Sequence, residues 1–293
     1  MKISDKNKGI FALVALAFVF ASMGVFARYL QFDFSLFQQT YLRIFAAFLL
    51  GFIFFFKDLD FKKIRRISRK DWFLIFFRAA TLYGAILLIS EAYFSSKYSN
   101  VSFIASFPLL PLFGFYFFKE KFTKEKAFYI TLALIGIALI AIKDFSDIFS
   151  WGQGELLAVL SVILFDFSYI ARKWQSETLN NKEITVLVFL AGSLLLFASS
   201  FFILNEPLPP LSTFTPVLIL IILIAAIFNL ANLFLTNYGF QRVDVIFAGN
   251  ILTLETVFAL LLGIFLYQEI PLLRELVGGI IIVTSVYQMN KLS

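Results

Sequence analysis

Five ionisable side chains of this chain stand inside long apolar stretches of sequence, where a charge needs a physical reason. They are Arg43, Arg78, Glu91, Asp166 and Glu255. Where such a stretch crosses a bilayer, a charge near its middle costs roughly 2.5–3.5 kcal/mol on insertion scales. The chain contains no histidine and no cysteine. The commonest general base and every thiolate metal site are therefore excluded, and no metal or cofactor is predicted.

Asp166 is the deepest of these side chains, about twelve residues into its apolar stretch. Tyr169 follows one helical turn later and shares its face. One interpretation makes Asp166, with Tyr169, a substrate contact or a protonatable coupling group. The other makes Asp166 half of an internal ion pair with Arg28 or Arg43 that only fixes helix packing. The sequence leaves both interpretations open.

Glu255 and three asparagines form a second candidate group. Glu255 lies about eleven residues into its stretch, where a carboxylate could bind a substrate amine or titrate. Asn229 and Asn232 are three residues apart and share a helix face, and Asn250 precedes Glu255 in the same stretch. Amides either bind substrate or join helices to each other. Together these residues are the best prediction of a substrate site.

Arg78 and Glu91 lie nearer the ends of their stretch. Arg78 is seven residues in, so it either contacts substrate or extends its long side chain to the inner surface. Glu91 lies near the outer end and is expected to be solvated.

The elements that must position these residues are apolar spans. The chain has 293 residues, 60% of them hydrophobic, and a mean hydropathy of +0.89. Runs of about 17–24 apolar residues match the length that a helix needs to cross hydrocarbon. Because the runs are continuously apolar rather than alternating, we predict an all-α integral membrane protein. The ten predicted transmembrane helices are 9–30, 36–56, 72–95, 99–118, 125–143, 154–172, 184–204, 216–238, 244–267 and 272–289.

Lysine and arginine collect in every second gap between the spans. With the N-terminus inside, the inner segments hold 19 of these cations and the outer segments hold 3, and the gap 57–71 alone holds 7. This bias predicts that both termini are cytoplasmic, in the plasma (inner) membrane of a bacterium. The pI is about 9.4. Because the cations lie beside the spans, we interpret this excess of positive charge as a signal for membrane topology and for contact with anionic lipid, rather than as a sign of nucleic-acid binding.

The chain also contains an internal repeat. The first repeat comprises residues 1–146 and the second comprises residues 150–293. The segment around Glu120 runs from the end of span four through span five. It aligns with the segment around Glu269, which runs from the end of span nine through span ten. Because five spans is an odd number, the second repeat enters the membrane from the opposite side, as in many secondary transporters. We predict that Glu120, Glu269 and Arg43 are structural latches rather than substrate ligands.

Over essentially its whole length the chain resembles the EamA-type members of the drug/metabolite transporter superfamily. The family closes the fourth helix of each repeat with an apolar run, a glutamate and a short polar turn. Similar segments here are FPLLPLFGFYFFKEKFT (107–123) and LETVFALLLGIFLYQEIPL (254–272). The resemblance implies two inverted five-helix repeats around a central cavity, with the helix of Glu255 beside it.

Three further positions carry the same resemblance. Arg43 is similar to the family's arginine early in the second helix, and Pro108 or Pro111 is similar to its first-repeat proline. The family has a Glu-Pro-Val motif in its second repeat. The similar motif here begins at Glu255 and has Thr256 in place of the proline.

These features predict a secondary transporter that moves a small metabolite by alternating access. There is no GxxxxGK[ST] motif, so ATP does not drive it directly, and protons are a candidate coupling ion. An intramembrane enzyme lacks the necessary histidine, cysteine or second aspartate, and a structural subunit needs no buried acids. The resemblance implies an amino acid or a derivative, with export preferred. The alternative is uptake or exchange of a nucleoside-like metabolite such as S-adenosylmethionine. The protein is expected to be a monomer or homodimer.

Overall fold

The computed structural model describes residues 4–96, 98–142, 152–268 and 270–292, and within them it contains helices and turns but no strand. The helices, in chain order, are α1 Asp5–Leu30, α2 Leu36–Phe55, α3 Phe61–Ile64, α4 Arg69–Ser95, α5 Tyr98–Ala105, α6 Leu110–Phe118, α7 Lys124–Ala141, α8 Gln153–Trp174, α9 Asn181–Ala198, α10 Pro216–Phe240, α11 Val245–Leu252, α12 Leu254–Tyr267 and α13 Leu273–Lys291. A π-helical turn extends α9 through Ile203. The all-α class is confirmed.

Polar residues in the gaps begin the long helices. The hydroxyl of Ser35 accepts the backbone N–H of Gln38 at the start of α2, in a capping box. Ser68 caps α4, Asn180 caps α9 and Thr215 caps α10 in the same way. Each cap satisfies one of the N–H groups that the first turn of a helix leaves without a partner. The gaps that end the apolar spans thus also carry the signals that start the next helix.

Seven helical segments of the described chain are long and apolar enough to cross a membrane. Helical residues occupy all ten predicted ranges, but two of the predicted helices are not continuous. The fourth breaks between α5 and α6, where Pro108 and Pro111 remove backbone N–H donors. The ninth breaks at Thr253 without a proline, and the Thr253 hydroxyl donates to the carbonyl of Asn250 at 2.7 Å. At the second break, the threonine side chain thus forms a hydrogen bond to the backbone that competes with the regular helical hydrogen bonds.

The two broken helices pack directly against each other. A Cβ built on Gly249 would lie 2.7 Å from the ring of Pro111, and one on Gly114 would lie 2.9 Å from the side chain of Ile246. Larger residues at either glycine would separate α6 from α11. The Thr256 hydroxyl also donates to Ser106 at 3.4 Å, which joins the two breaks.

Successive gaps lie at alternate ends of the bundle. At one end Asp71 accepts the backbone N–H of Ser176 at 3.1 Å, and Glu120 accepts that of Val245 at 2.9 Å. At the other end Ser35 donates to Glu206 at 2.9 Å, so the gap after α1 meets the gap after α9. The basic gaps identified in the sequence therefore gather at one end of the molecule.

The second half of the chain repeats local geometry of the first. Both α6 and α12 end on a residue in the left-handed region, Lys119 with φ 53° and Gln268 with φ 54°. In each case the backbone N–H returns to a glycine carbonyl, that of Gly114 or Gly263. A non-glycine residue with positive φ is uncommon, so its recurrence at matching positions is a structural signature of the repeat.

Candidate functional site

Tyr169 on α8 lies at the meeting point of three helices. Its ring stacks on Phe240 of α10, with centroids 5.0 Å apart and an interplanar angle of 11°, and on Phe165 at 6.4 Å and 16°. Phe20 of α1 meets it edge-on at 6.4 Å. The tyrosine is 7% exposed. It therefore presents its polar tip from a fixed aromatic stack inside the bundle.

Asp166 lies one turn before Tyr169 and is 5% exposed. Within the described part of the chain its Oδ2 has no hydrogen-bond partner, and it forms no salt bridge with Arg43. The side chain of Arg28, the other proposed partner, lies outside what the structure describes. The ion-pair interpretation thus receives no support from Arg43. A buried carboxyl group without a partner is costly for stability.

Glu255 reaches the same neighbourhood from α12. It is an exposed residue, yet it interacts electrostatically with the buried Tyr169, as do Asp166 and Arg78. Phe258, one turn after Glu255, packs edge-on against Phe18 of α1 at 5.6 Å. Glu255 thus lies one helical turn before a ring that packs against α1. Tyr169 brings together two carboxylates and one guanidinium from three helices.

Arg78 does not extend to the surface. It is 0% exposed, and its Nε donates to the carbonyl of Ser168 at 3.1 Å. Its Nη1 donates to Oε1 of Gln175 at 3.2 Å. Both partners belong to the end of α8, against which α4 packs antiparallel. The second interpretation of Arg78, a side chain that extends to the inner surface, is wrong because hydrogen bonds to α8 hold the guanidinium inside.

The three asparagines make separate contacts in the structure. Asn250 is fully buried, and its Oδ1 lies 3.3 Å from the Ser285 hydroxyl of α13, which donates to the carbonyl of Tyr129 at 2.6 Å. Asn229 donates to the carbonyl of Ala225 in its own helix at 2.8 Å. No hydrogen bond between Asn229 or Asn232 and Glu255 is found in the described segments. The Nδ2 of Asn250 is buried without a hydrogen-bond partner in the described residues, and both interpretations of Asn250 stay predictions.

Glu120 makes the contacts expected of a latch. Its two oxygens accept the backbone N–H groups of Val245 and Ile246, each at 2.9 Å, at the start of α11. Lys173 of α8 approaches Oε1 at 3.4 Å. Arg43 is buried, but the hydrogen bond found for it goes to the carbonyl of Gln39 in its own helix. Glu269 lies outside the described residues.

Two polar residues of this region escaped the sequence prediction. The sixth predicted span ends at Arg172, whereas α8 continues to Trp174. Arg172 is only 5% exposed, and Gln175 is only 8% exposed. The available signal was their spacing from Ser168, because positions four and seven apart lie on one helix face.

A bundle of apolar helices, built as two similar halves with broken helices packed at its centre and ionisable groups inside, is the construction of a membrane transporter. The model of the EamA-like transporter family matches residues 7–142 and again residues 152–291. The chain belongs to that family, as its motifs indicated. No curated protein matches the sequence.

The fold has a counterpart among solved structures. One crystal structure aligns with a TM-score of 0.75 over 95% of this chain and 96% of the other, at 16% sequence identity. At that identity the likeness concerns the fold alone. It extends over both halves of the chain and therefore includes the arrangement of the halves as well as each repeat.

Proposed function

We propose that this protein is a secondary transporter that moves a small metabolite by alternating access, without direct use of ATP. The observation that carries the proposal is the cluster around Tyr169, a buried side chain on which Asp166, Glu255 and Arg78 act electrostatically from three helices. Ionisable residues inside membrane helices mark substrate and ion pathways. The helices α5–α6 and α11–α12 are broken and pack against each other, and discontinuous helices are a feature of transporter sites.

The proposed topology has ten crossings, with both termini in the cytoplasm of a bacterium and the protein in its inner membrane. Supporting it, the basic gaps lie together at one end of the bundle, and the segment 57–71 there holds 7 lysines and arginines. Cytoplasmic loops carry such an excess. The two repeats would comprise residues 1–146 and 150–293, inverted with respect to each other.

The proposed substrate is an amino acid or a derivative, and the proposed direction is export. Asp166 and Glu255 can bind an ammonium group, while the stack of Phe165, Tyr169 and Phe240 offers π faces to a cation or an apolar side chain. The same stack favours a second candidate, uptake or exchange of a nucleoside-like metabolite such as S-adenosylmethionine, since planar bases stack on aromatic rings.

Proton coupling is proposed through the carboxylates. A group that carries a proton must be reached from water in at least one state and must exist in a protonated and a charged form. Glu255 is accessible while Asp166 is buried without a partner. The two therefore offer an entry group and an inner group for one proton.

The experiment is a thermal-shift screen of purified protein against amino acids, nucleosides, S-adenosylmethionine and polyamines. Flux of the stabilising compounds into proteoliposomes follows, with and without a pH gradient. We expect Asp166→Asn to abolish flux, whereas Glu91→Gln, which changes an exposed carboxylate near the end of α4, retains it. Flux in the Asp166→Asn variant equal to that of the wild type would remove the Tyr169 cluster from the transport pathway.

A further inference from the structure

Arg78 and Arg172 place two guanidinium groups along one stretch of α8. Arg78 reaches across from α4 and binds the carbonyl of Ser168 and the amide of Gln175. Arg172 lies between these two positions in the sequence and on the same helix face. The two cations interact electrostatically with each other, although both are at least nine-tenths buried.

No buried carboxylate neutralises this pair. Neither arginine forms a salt bridge within the described chain. Arg172 donates to the neutral amide oxygen of Asn181 at 2.6 Å, and the acid that interacts with it electrostatically, Glu177, is exposed. Two like charges removed from water repel each other and lose hydration, which costs several kcal/mol per ion unless a counter-charge is present.

Three buried N–H donors of Arg78, Arg172 and Gln175 are left without an acceptor in the described part of the chain. Nη2 of Arg78, Nε of Arg172 and Nε2 of Gln175 are buried and have no hydrogen-bond partner among the residues that the structure describes. The Tyr83 hydroxyl, also without a partner there, interacts electrostatically with Arg78. Buried donors normally find acceptors. A set that consists of N–H and O–H groups beside two cations has the chemistry to receive an anion.

We propose that Arg78 and Arg172, with Gln175, form a binding site for a carboxylate-sized anion. The assignment deepens the proposed function and rests on it for the source of the ligand. A zwitterionic substrate would place its carboxylate here and its ammonium group toward Asp166 and Glu255, with Tyr169 between the two ends. A free inorganic anion is the other source of the same chemistry.

The route to the site leads to the basic end of the bundle. Asn181, the partner of Arg172, is partly exposed and donates to Oε1 of Gln241 at 3.0 Å. Gln241 in turn accepts from Arg242 at 3.3 Å. Breaking this short chain of hydrogen bonds would release Arg172 from the start of α9.

The test titrates purified protein with sodium formate in place of sodium chloride, at constant ionic strength, and repeats the titration with inorganic phosphate. We expect a saturable rise of the melting temperature of about 3 °C with formate in the wild type. The rise should be absent from Arg78→Gln and Arg172→Gln. Arg43→Gln, which removes another buried guanidinium from α2, is the matched control and should keep it.

A wild type that formate and phosphate both fail to stabilise would overturn the site, as would a full response in both variants. If Arg78→Gln does not fold, Arg172→Gln carries the comparison. Flux assays of alanine and alaninamide identify the source of the anion. Preference for alanine that Arg78→Gln removes assigns the site to the substrate carboxylate, and a formate response without that preference assigns it to a free anion.

The failures of the two proposals are distinguishable. Flux that persists without any anion response would overturn the anion site and leave the transporter. An anion response without flux of any screened compound would overturn the transporter and leave the anion site.

Discussion

The carboxylate of Glu120 at the end of α6 accepts the first backbone N–H of α11, that of Val245, at 2.9 Å. The contact joins the first repeat to the second at the basic end of the bundle. A charged acceptor at a helix N-terminus satisfies orphan donors and opposes the positive end of the helix dipole. The residue that the sequence places at the helix cap, Asp244, makes no such hydrogen bond.

Replacing Glu120 by alanine should therefore destabilise the protein. Loss of an N-cap acceptor costs about 0.5–2 kcal/mol, and the paired Lys173 would lose its counter-charge as well. The measurement is thermal unfolding in detergent. Asp244→Ala is the matched control, and a control that loses as much stability as Glu120→Ala would show that Glu120 does not cap α11.

Asp166→Asn should raise the melting temperature while it abolishes flux. The carboxyl group has no partner to lose within the described chain, so a neutral amide avoids the desolvation cost of a buried charge. Glu183 offers the opposite case, because it is fully buried but pairs with Lys63 at 2.6 Å. Glu183→Gln should lower the melting temperature. If both variants shift the melting temperature in the same direction, the lack of a partner for Asp166 does not explain the effect of its replacement.

Glu255→Gln should remove the pH dependence of transport, because glutamine keeps the size of the side chain but cannot exchange a proton. The measurement is initial flux into proteoliposomes over a range of external pH. Glu91→Gln, a change of another exposed carboxylate, should keep the wild-type profile. A profile unchanged in Glu255→Gln would move the coupling role to Asp166 or exclude proton coupling through this cluster.

Gly136→Ala should destabilise the contact between α7 and α13. A Cβ at this position would lie 2.7 Å from the backbone oxygen of Gly278, and a backbone atom cannot move aside as a side-chain tip can. Such overpacking costs about 1–3 kcal/mol.

Gly279 is the control for this change, since a Cβ there meets nothing within 4 Å. Gly279→Ala should be neutral or stabilising, because alanine favours helix by about 1 kcal/mol over glycine. Equal melting temperatures for the two variants would mean that α7 and α13 can separate at little cost.

The apolar runs and the spacing of the cations were enough to predict the helical class and the sorting of gaps between two ends. The similar segments 107–123 and 254–272, with Arg43 and the motif that begins at Glu255, were enough to predict the family. These features are local: a segment that crosses a membrane needs an apolar run of a certain length, and its flanking residues must suit the water on either side. Both can be read from the sequence of that segment alone. Neither break was predicted: Pro108 and Pro111 marked the fourth span without being interpreted as a break, and the ninth span breaks at Thr253, where the sequence has no proline.

The sequence by itself determined which residues are ionisable inside apolar helices, and Asp166, Tyr169, Arg78 and Glu255 were all among them. Only the tertiary structure decided their partners: Arg78 lies against the end of α8 near Arg172, while Asp166 has no partner in the described chain. The physical reason is that helix periodicity specifies a face, whereas the partner on that face depends on which helix packs there and at what depth.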